Sequence, residues 1–113
     1  MNYRIIPQKH FLKEVKRLAK RYKSLKKDLQ TLQEELERNP FAGIDLGGGV
    51  RKMRMAIGSK NRGKSHGARV ITYTYTVDES EGVINLIFIY DKEERENISK
   101  AEIEDLIKEV FSI

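Results

Sequence analysis

Cysteine is absent from the 113 residues. That excludes disulfides and thiolate metal sites, and nothing argues for an oxidising compartment. Histidine occurs only at His10 and His66, and neither has further ligands at a metal-binding spacing, so no metal and no cofactor is expected. No apolar run approaches a membrane span, and Met1 to Pro7 lacks the apolar stretch of a signal peptide. A cytoplasmic protein without membrane contact is the expectation. Catalytic signatures are missing too. Gly47-Gly48-Gly49 lacks the Lys-Ser/Thr that completes a phosphate-binding loop and reads as a flexible lead-in to a strand. No Ser-His-Asp set stands out. The length suits one domain over residues 1–113 with a single core.

The most informative absence is of acid. Charged residues make up 35% of the chain, yet Leu46 to Val77 contains no Asp or Glu while holding Arg51, Lys52, Arg54, Lys60, Arg62, Lys64 and Arg69. Up to Val77, 18 Lys/Arg stand against six Asp/Glu; from Asp78 onward, four stand against eleven. The net charge of +5 therefore joins a basic part of +12 to an acidic part of −7. Two solvated faces of opposite sign produce such a split, and so does a basic site with an acidic flank. A sheet that gathers cations on one side suits a polyanion, most often nucleic acid in a small protein.

Tyr3 to Ile6 reads as a short strand stopped by Pro7. Phe11, Val15, Leu18, Tyr22, Leu25, Leu29, Leu32 and Leu36 then recur as the apolar stripe of a helix. Two arrangements fit. One is an unbroken coiled-coil helix over 8–38. The other, preferred because two antiparallel helices can cover a sheet, is a hairpin broken near Tyr22 to Ser24 with Ser24 as N-cap. Asn39-Pro40 ends the second helix. After a loop containing Gly43 and the three glycines, Val50 to Ile57 alternates. Arg51, Met53, Met55 and Ile57 point one way; Val50, Lys52, Arg54 and Ala56 point the other. The apolar set belongs in the core, which leaves Lys52 and Arg54 together on the wet face. Gly58 to Gly67 is a flexible basic connection. Arg69 to Val77 is a strand whose inner face periodicity alone does not decide. Val83 to Tyr90 is apolar on both faces, as a central strand is. Ser99 and Glu102 form a capping box before a helix with the stripe Ile103, Leu106, Ile107 and Val110. The order β-α-α-β-β-β-α predicts an α+β fold. Its twisted, mainly antiparallel four-stranded sheet packs on an N-terminal helical hairpin and is followed by a C-terminal helix.

The chemistry on offer is a set of cations and tyrosines: Lys52, Arg54, Arg69, Lys92, Tyr73 and Tyr90. Such a set binds phosphate, and it can also promote RNA scission by the RNA's own 2′-hydroxyl. Scission needs a proton acceptor, cations facing the pentacoordinate phosphate, and a proton donor for the 5′-oxygen. Crowding by arginines favours the neutral form of a lysine and so its use as a base. Arginine grips phosphate with two N–H groups, and tyrosine stacks on bases or donates a proton.

The run GGGVRKMRMAIGSKNRGKSHGARVITYTY followed by INLIFIYDKEERENIS resembles the RelE/ParE toxin superfamily of bacterial toxin–antitoxin modules. It is most similar to the HigB-like branch, and the Leu-x-x-Asn-Pro-x-x-Gly segment from Leu36 to Gly43 also fits. The resemblance covers most of the chain as one toxin domain. It implies an endoribonuclease that cleaves mRNA in the ribosomal A site without a metal. It also implies a cognate antitoxin, of the helix-turn-helix HigA kind, with operator DNA bound only through that partner. Carried over, the catalytic positions are Lys52, Arg54, Arg69 and Lys92. RelE places a tyrosine at about Ile98, so Tyr90 is the stand-in for the general acid. Contacts to mRNA and the 70S ribosome are expected from Arg51, Lys60, Arg62, Lys64, His66 and Tyr73. The basic helix face, Lys13, Lys16, Arg17 and Lys20, is expected to add others. ParE-like members of the superfamily inhibit DNA gyrase instead, and a non-catalytic nucleic-acid-binding module is a third possibility.

Overall fold

The computed structural model describes residues 1–111. Its elements are β1 (Asn2–Pro7), α1 (Lys9–Arg21), α2 (Leu25–Arg38), β2 (Ile44–Gly47), β3 (Val50–Met55), β4 (Ala68–Thr76), β5 (Glu81–Asp91) and α3 (Lys100–Phe111). The long apolar stripe belongs to a hairpin. Tyr22 leaves helical dihedrals at φ −122°, ψ 110°, which ends α1. Ser24 does not cap α2 with its side chain. Its hydroxyl donates to Asp28 Oδ2 at 2.8 Å and accepts the Ser59 N–H at 2.7 Å. Ser24 therefore ties the hairpin to the β3–β4 connection. The capping box of α3 is half formed. The Glu102 N–H donates to Ser99 Oγ at 3.1 Å, but the Glu102 carboxylate turns to Arg95.

The sheet has five strands in the order β1-β5-β4-β3-β2, one more than the sequence predicts. β1 runs parallel to β5, and the other pairs are antiparallel. The additional strand is β2, whose four residues are all exposed. With no buried alternate positions it carries no apolar periodicity to reveal it. The three glycines are the β2–β3 hairpin turn rather than a lead-in, with φ of 94°, 60° and 89°. Such dihedrals are open to glycine and strained for other residues.

Each face of the sheet is covered. Met53, Met55, Val70, Ile84 and Ile89 meet Leu18, Leu25 and Leu36 of the helical hairpin. Ile71, Ile87 and Tyr90 meet Ile98 and Ile103 on the α3 side. Fully burying an aliphatic side chain contributes about 1.5–3 kcal/mol, which is why β5 is apolar on both faces. The packing also decides β4: Ile71 and Tyr73 face α3, and Val70 faces the hairpin. Among the described residues no helix is long and apolar enough to cross a membrane.

Candidate nucleic-acid interface

Strand register assembles the cations. Arg54 of β3 is the partner of Arg69 on β4, and Arg69 is the partner of Tyr90 on β5. Lys52 stands in the next row, opposite Ile71. Alternation places these side chains on the α3 face. Lys92 stands two residues beyond Tyr90, where its N–H reaches Gly67 O at 3.0 Å. The row is held close to the β3–β4 connection because nothing larger than glycine fits at Gly67. A Cβ there would lie 2.0 Å from Met55 O.

No carboxylate neutralises these four cations among the described residues. Lys52 Nζ donates to the Asn97 amide oxygen at 3.2 Å. Lys92 Nζ donates to Glu96 O at 2.7 Å. The Arg69 guanidinium is largely buried and donates to the carbonyls of Lys64, Ala68 and Ser65 at 3.1, 3.2 and 3.1 Å. Arg54 is exposed and has no polar partner among the described residues. Arg17, Arg21, Lys60, Lys64 and Arg95, by contrast, all sit in ion pairs. Positive potential is therefore left around Lys52, Arg54 and Arg69 on the sheet and around Lys92 just beyond β5.

Tyr90 shares the row but is only 3% exposed, and its buried hydroxyl has no hydrogen-bond partner among the described residues. Burial pushes the phenol's pKa up, against the opposing pull of Arg69 and Arg95. The Arg95 guanidinium lies 5.8 Å from the Tyr90 ring centre and 5.7 Å from that of Phe88. Glu102 holds it there through both carboxylate oxygens. Ile98 is buried in the α3-side core, so the position where RelE carries a tyrosine is apolar here. Arg95 and Asn97 were not singled out in the sequence, where the Asp91–Asn97 segment shows only as a charged loop.

Other predicted contacts are placed elsewhere. The Lys60 side chain is 6% exposed, with Nζ 2.6 Å from Asp91 Oδ1 and 2.8 Å from His66 O. It is shut away from solvent and leaves the set of nucleic-acid contacts. Asp91 also accepts from Tyr22 at 2.5 Å and from the Glu93 N–H at 3.0 Å. Burial alone would raise the Asp91 carboxyl, but the bonds from Lys60, Tyr22 and Glu93 outweigh it and hold it below its ordinary value. Burial and the bond to Asp91 push the Tyr22 phenol up to about 12. Arg51 lies on the opposite sheet face from Lys52, 4.9 Å above the Phe41 ring. Lys13, Lys16 and Lys20 are exposed on α1, in the helical layer across the sheet from the cation row. Arg17 is bound to Glu14 and Glu94. Arg62 and His66 are exposed on the connection, and Lys64 lies 3.4 Å from Glu35. The connection itself is built from two 3-10 turns, Gly58–Lys60 and Lys64–His66, gripped from within by Lys60 and Arg69. Tyr73 stacks edge-on against Phe111 with centres 5.6 Å apart. It also lines a groove of about 610 Å³ between the β2–β3 turn and α3, of which Lys52 forms part. Among the described residues no group of three or more His, Cys, Asp or Glu could hold a metal.

The family model described as the RelE toxin of the RelE/RelB toxin–antitoxin system matches residues 4–111. The chain belongs to the RelE toxin family. No curated protein matches it. The family match bears out the resemblance to the RelE/ParE superfamily and the α+β architecture, with the fifth strand as the amendment. It makes the protein the toxin of a toxin–antitoxin module, so that a cognate antitoxin is its partner.

Proposed function

We propose that this RelE-family toxin is an endoribonuclease of the HigB-like kind that cuts mRNA in the A site of the 70S ribosome and so stops translation. The observation that carries the reading is the set of Lys52, Arg54 and Arg69 on one sheet face, with Lys92 just beyond β5, none of them with a carboxylate partner among the described residues. The RNA's 2′-oxygen attacks the adjacent phosphorus, the bond to the 5′-oxygen breaks, and the products are a 2′,3′-cyclic phosphate and a 5′-hydroxyl. Neither metal nor cofactor enters that scheme. Exposed Arg54 grips the non-bridging oxygens. Arg69, fixed by three carbonyls, adds charge without having to reorganise. Lys52 and Lys92 are the groups that exchange protons with the 2′- and 5′-oxygens. The Tyr90 hydroxyl is closed off by its burial, so the tyrosine backs the arginines instead of donating. Arg62, Lys64 and His66 extend the phosphate contacts along the connection, and Lys13, Lys16 and Lys20 dock on ribosomal RNA. A helix-turn-helix antitoxin of the HigA kind neutralises the toxin and carries the pair to operator DNA.

The test is mRNA integrity in a purified translation system, with and without ribosomes. Cuts within A-site codons, seen only with ribosomes and lowered about 100-fold or more by Arg54→Ala, are the expected result. Intact mRNA in both arms would overturn the reading, and inhibition of gyrase supercoiling would then place the toxin with the ParE-like members.

A further inference from the structure

Lys52 belongs to two features at once. Its ammonium is part of the unneutralised cation set, and its side chain forms one wall of the groove between the β2–β3 turn and α3. The groove's volume of about 610 Å³ lies in the range of sites that enclose small organic molecules. Its walls suit a flat heterocycle. Val50, Ile103 and the Tyr73 ring supply apolar surface, and polar groups are few. Those that line it are Lys52, Asn97, Lys100 and Glu104. Glu104 is exposed on α3 and pairs with no cation among the described residues, not even Lys100 one turn before it. A free carboxylate at the mouth of a cationic site repels phosphate, so the phosphate belongs at Lys52 and Arg54. Glu104 is an acceptor only, so it takes an N–H donor of the ligand rather than its phosphate.

We propose that the groove holds the nucleobase next to the phosphate bound at Lys52 and Arg54, and that Glu104 selects a base bearing an exocyclic amine. Cytosine is the sharpest case. Its N4 amine donates to a carboxylate, whereas uracil, nearly the same shape, turns an oxygen toward Glu104. Lys100 and Asn97 donate to the remaining ring acceptors. Single-stranded RNA suits such a pocket because its bases can be splayed out and read along the Watson–Crick edge. The assignment of RNA as the ligand rests on the function proposed above; the groove is tested apart from cleavage.

The experiment follows backbone amide shifts of the free toxin during titration with cytidine 3′-monophosphate and with uridine 3′-monophosphate. The expected result is movement at Gly48, Asn97 and Ile103, with cytidine bound more tightly on the order of 10-fold. Glu104→Gln should bring the two nucleotides to within about twofold of each other, because a carboxamide accepts from the amine and donates to the oxygen. This side chain is exposed, so the variant folds. Shifts confined to the Gly58–Gly67 connection or to α1, equal affinities in the wild type, a cytidine preference that Glu104→Gln leaves intact, or no groove shift at millimolar nucleotide would each overturn the proposal. Groove binding with the expected preference but without mRNA cleavage would leave the groove standing and remove the endonuclease. Cleavage without groove shifts would do the reverse.

Discussion

At the scale of single residues, burial sorts charges that look alike in the sequence. Lys60 and Asp91 form a buried ion pair completed by Tyr22. Removing one partner strands the other, so Lys60→Met or Asp91→Asn should lower unfolding stability by about 3–5 kcal/mol, measured by urea denaturation. The pair also sets an acid limit. Asp91 is held below its ordinary value in the fold, so its contribution is present above the unfolded carboxyl value of about 3.9. It is lost as pH falls through the depressed folded value. The wild-type urea midpoint should therefore drop on acidification below about pH 4, and the drop should be smaller in Asp91→Asn. Tyr90 makes the opposite case, a buried hydroxyl without a partner among the described residues. Tyr90→Phe should leave stability unchanged or raise it by about 1 kcal/mol, with cleavage retained. Loss of cleavage in a stable Tyr90→Phe protein would show that the hydroxyl reaches the reacting phosphate.

At the scale of elements, two close approaches hold β3 and β4 in register with the connection between them. Gly49 carries φ 89° in the β2–β3 turn, and a Cβ there would lie 2.7 Å from Thr74 O. Gly67 backs directly onto Met55 O at the other end. Gly67→Ala should separate the start of β4 from the end of β3 and destabilise the fold by more than about 1 kcal/mol. Because the Arg54–Arg69 pairing lies one residue further in, cleavage by the fraction that still folds should fall as well. Calorimetry and the translation assay read the two effects separately. The alternation of β3 was legible because Met53 and Met55 fix its inner face. The inner face of β4 was not legible, because threonines and tyrosines alternate there and both suit a half-buried strand. Packing of Ile71 under α3 decided it.

At the scale of the whole molecule, the basic and acidic halves of the chain do not form two separate faces. Acidic Glu94, beyond β5, reaches back to Arg17 and Arg21 at the end of α1. Among the described residues, the cation row on one side of the sheet and Lys13, Lys16 and Lys20 of α1 on the other stay outside these ion pairs. If both contact RNA, ribosome binding should weaken steeply with salt, and Lys13, Lys16 and Lys20 changed together to alanine should make the log–log slope shallower by about two to three. An unchanged slope would return those lysines to the role of a solvated helix face.

Periodicity and turn chemistry, both local, were enough to determine from the sequence the helical stripe over 8–38, the sheet's three central strands, the shared face of Lys52 and Arg54, and the acid-free stretch that marks the site. The break of that stripe into a hairpin at Tyr22 was decided by the tertiary structure. Local patterns do not say which cation meets which carboxylate. Lys60 and Asp91 are 31 residues apart, and Arg17 and Glu94 are 77 apart. Only strand register and helix packing brought those pairs together, and by neutralising some cations they left Lys52, Arg54, Arg69 and Lys92 without a carboxylate among the described residues. The same packing buried Tyr90 and opened the groove beside Lys52, because both depend on where α3 lies across the sheet.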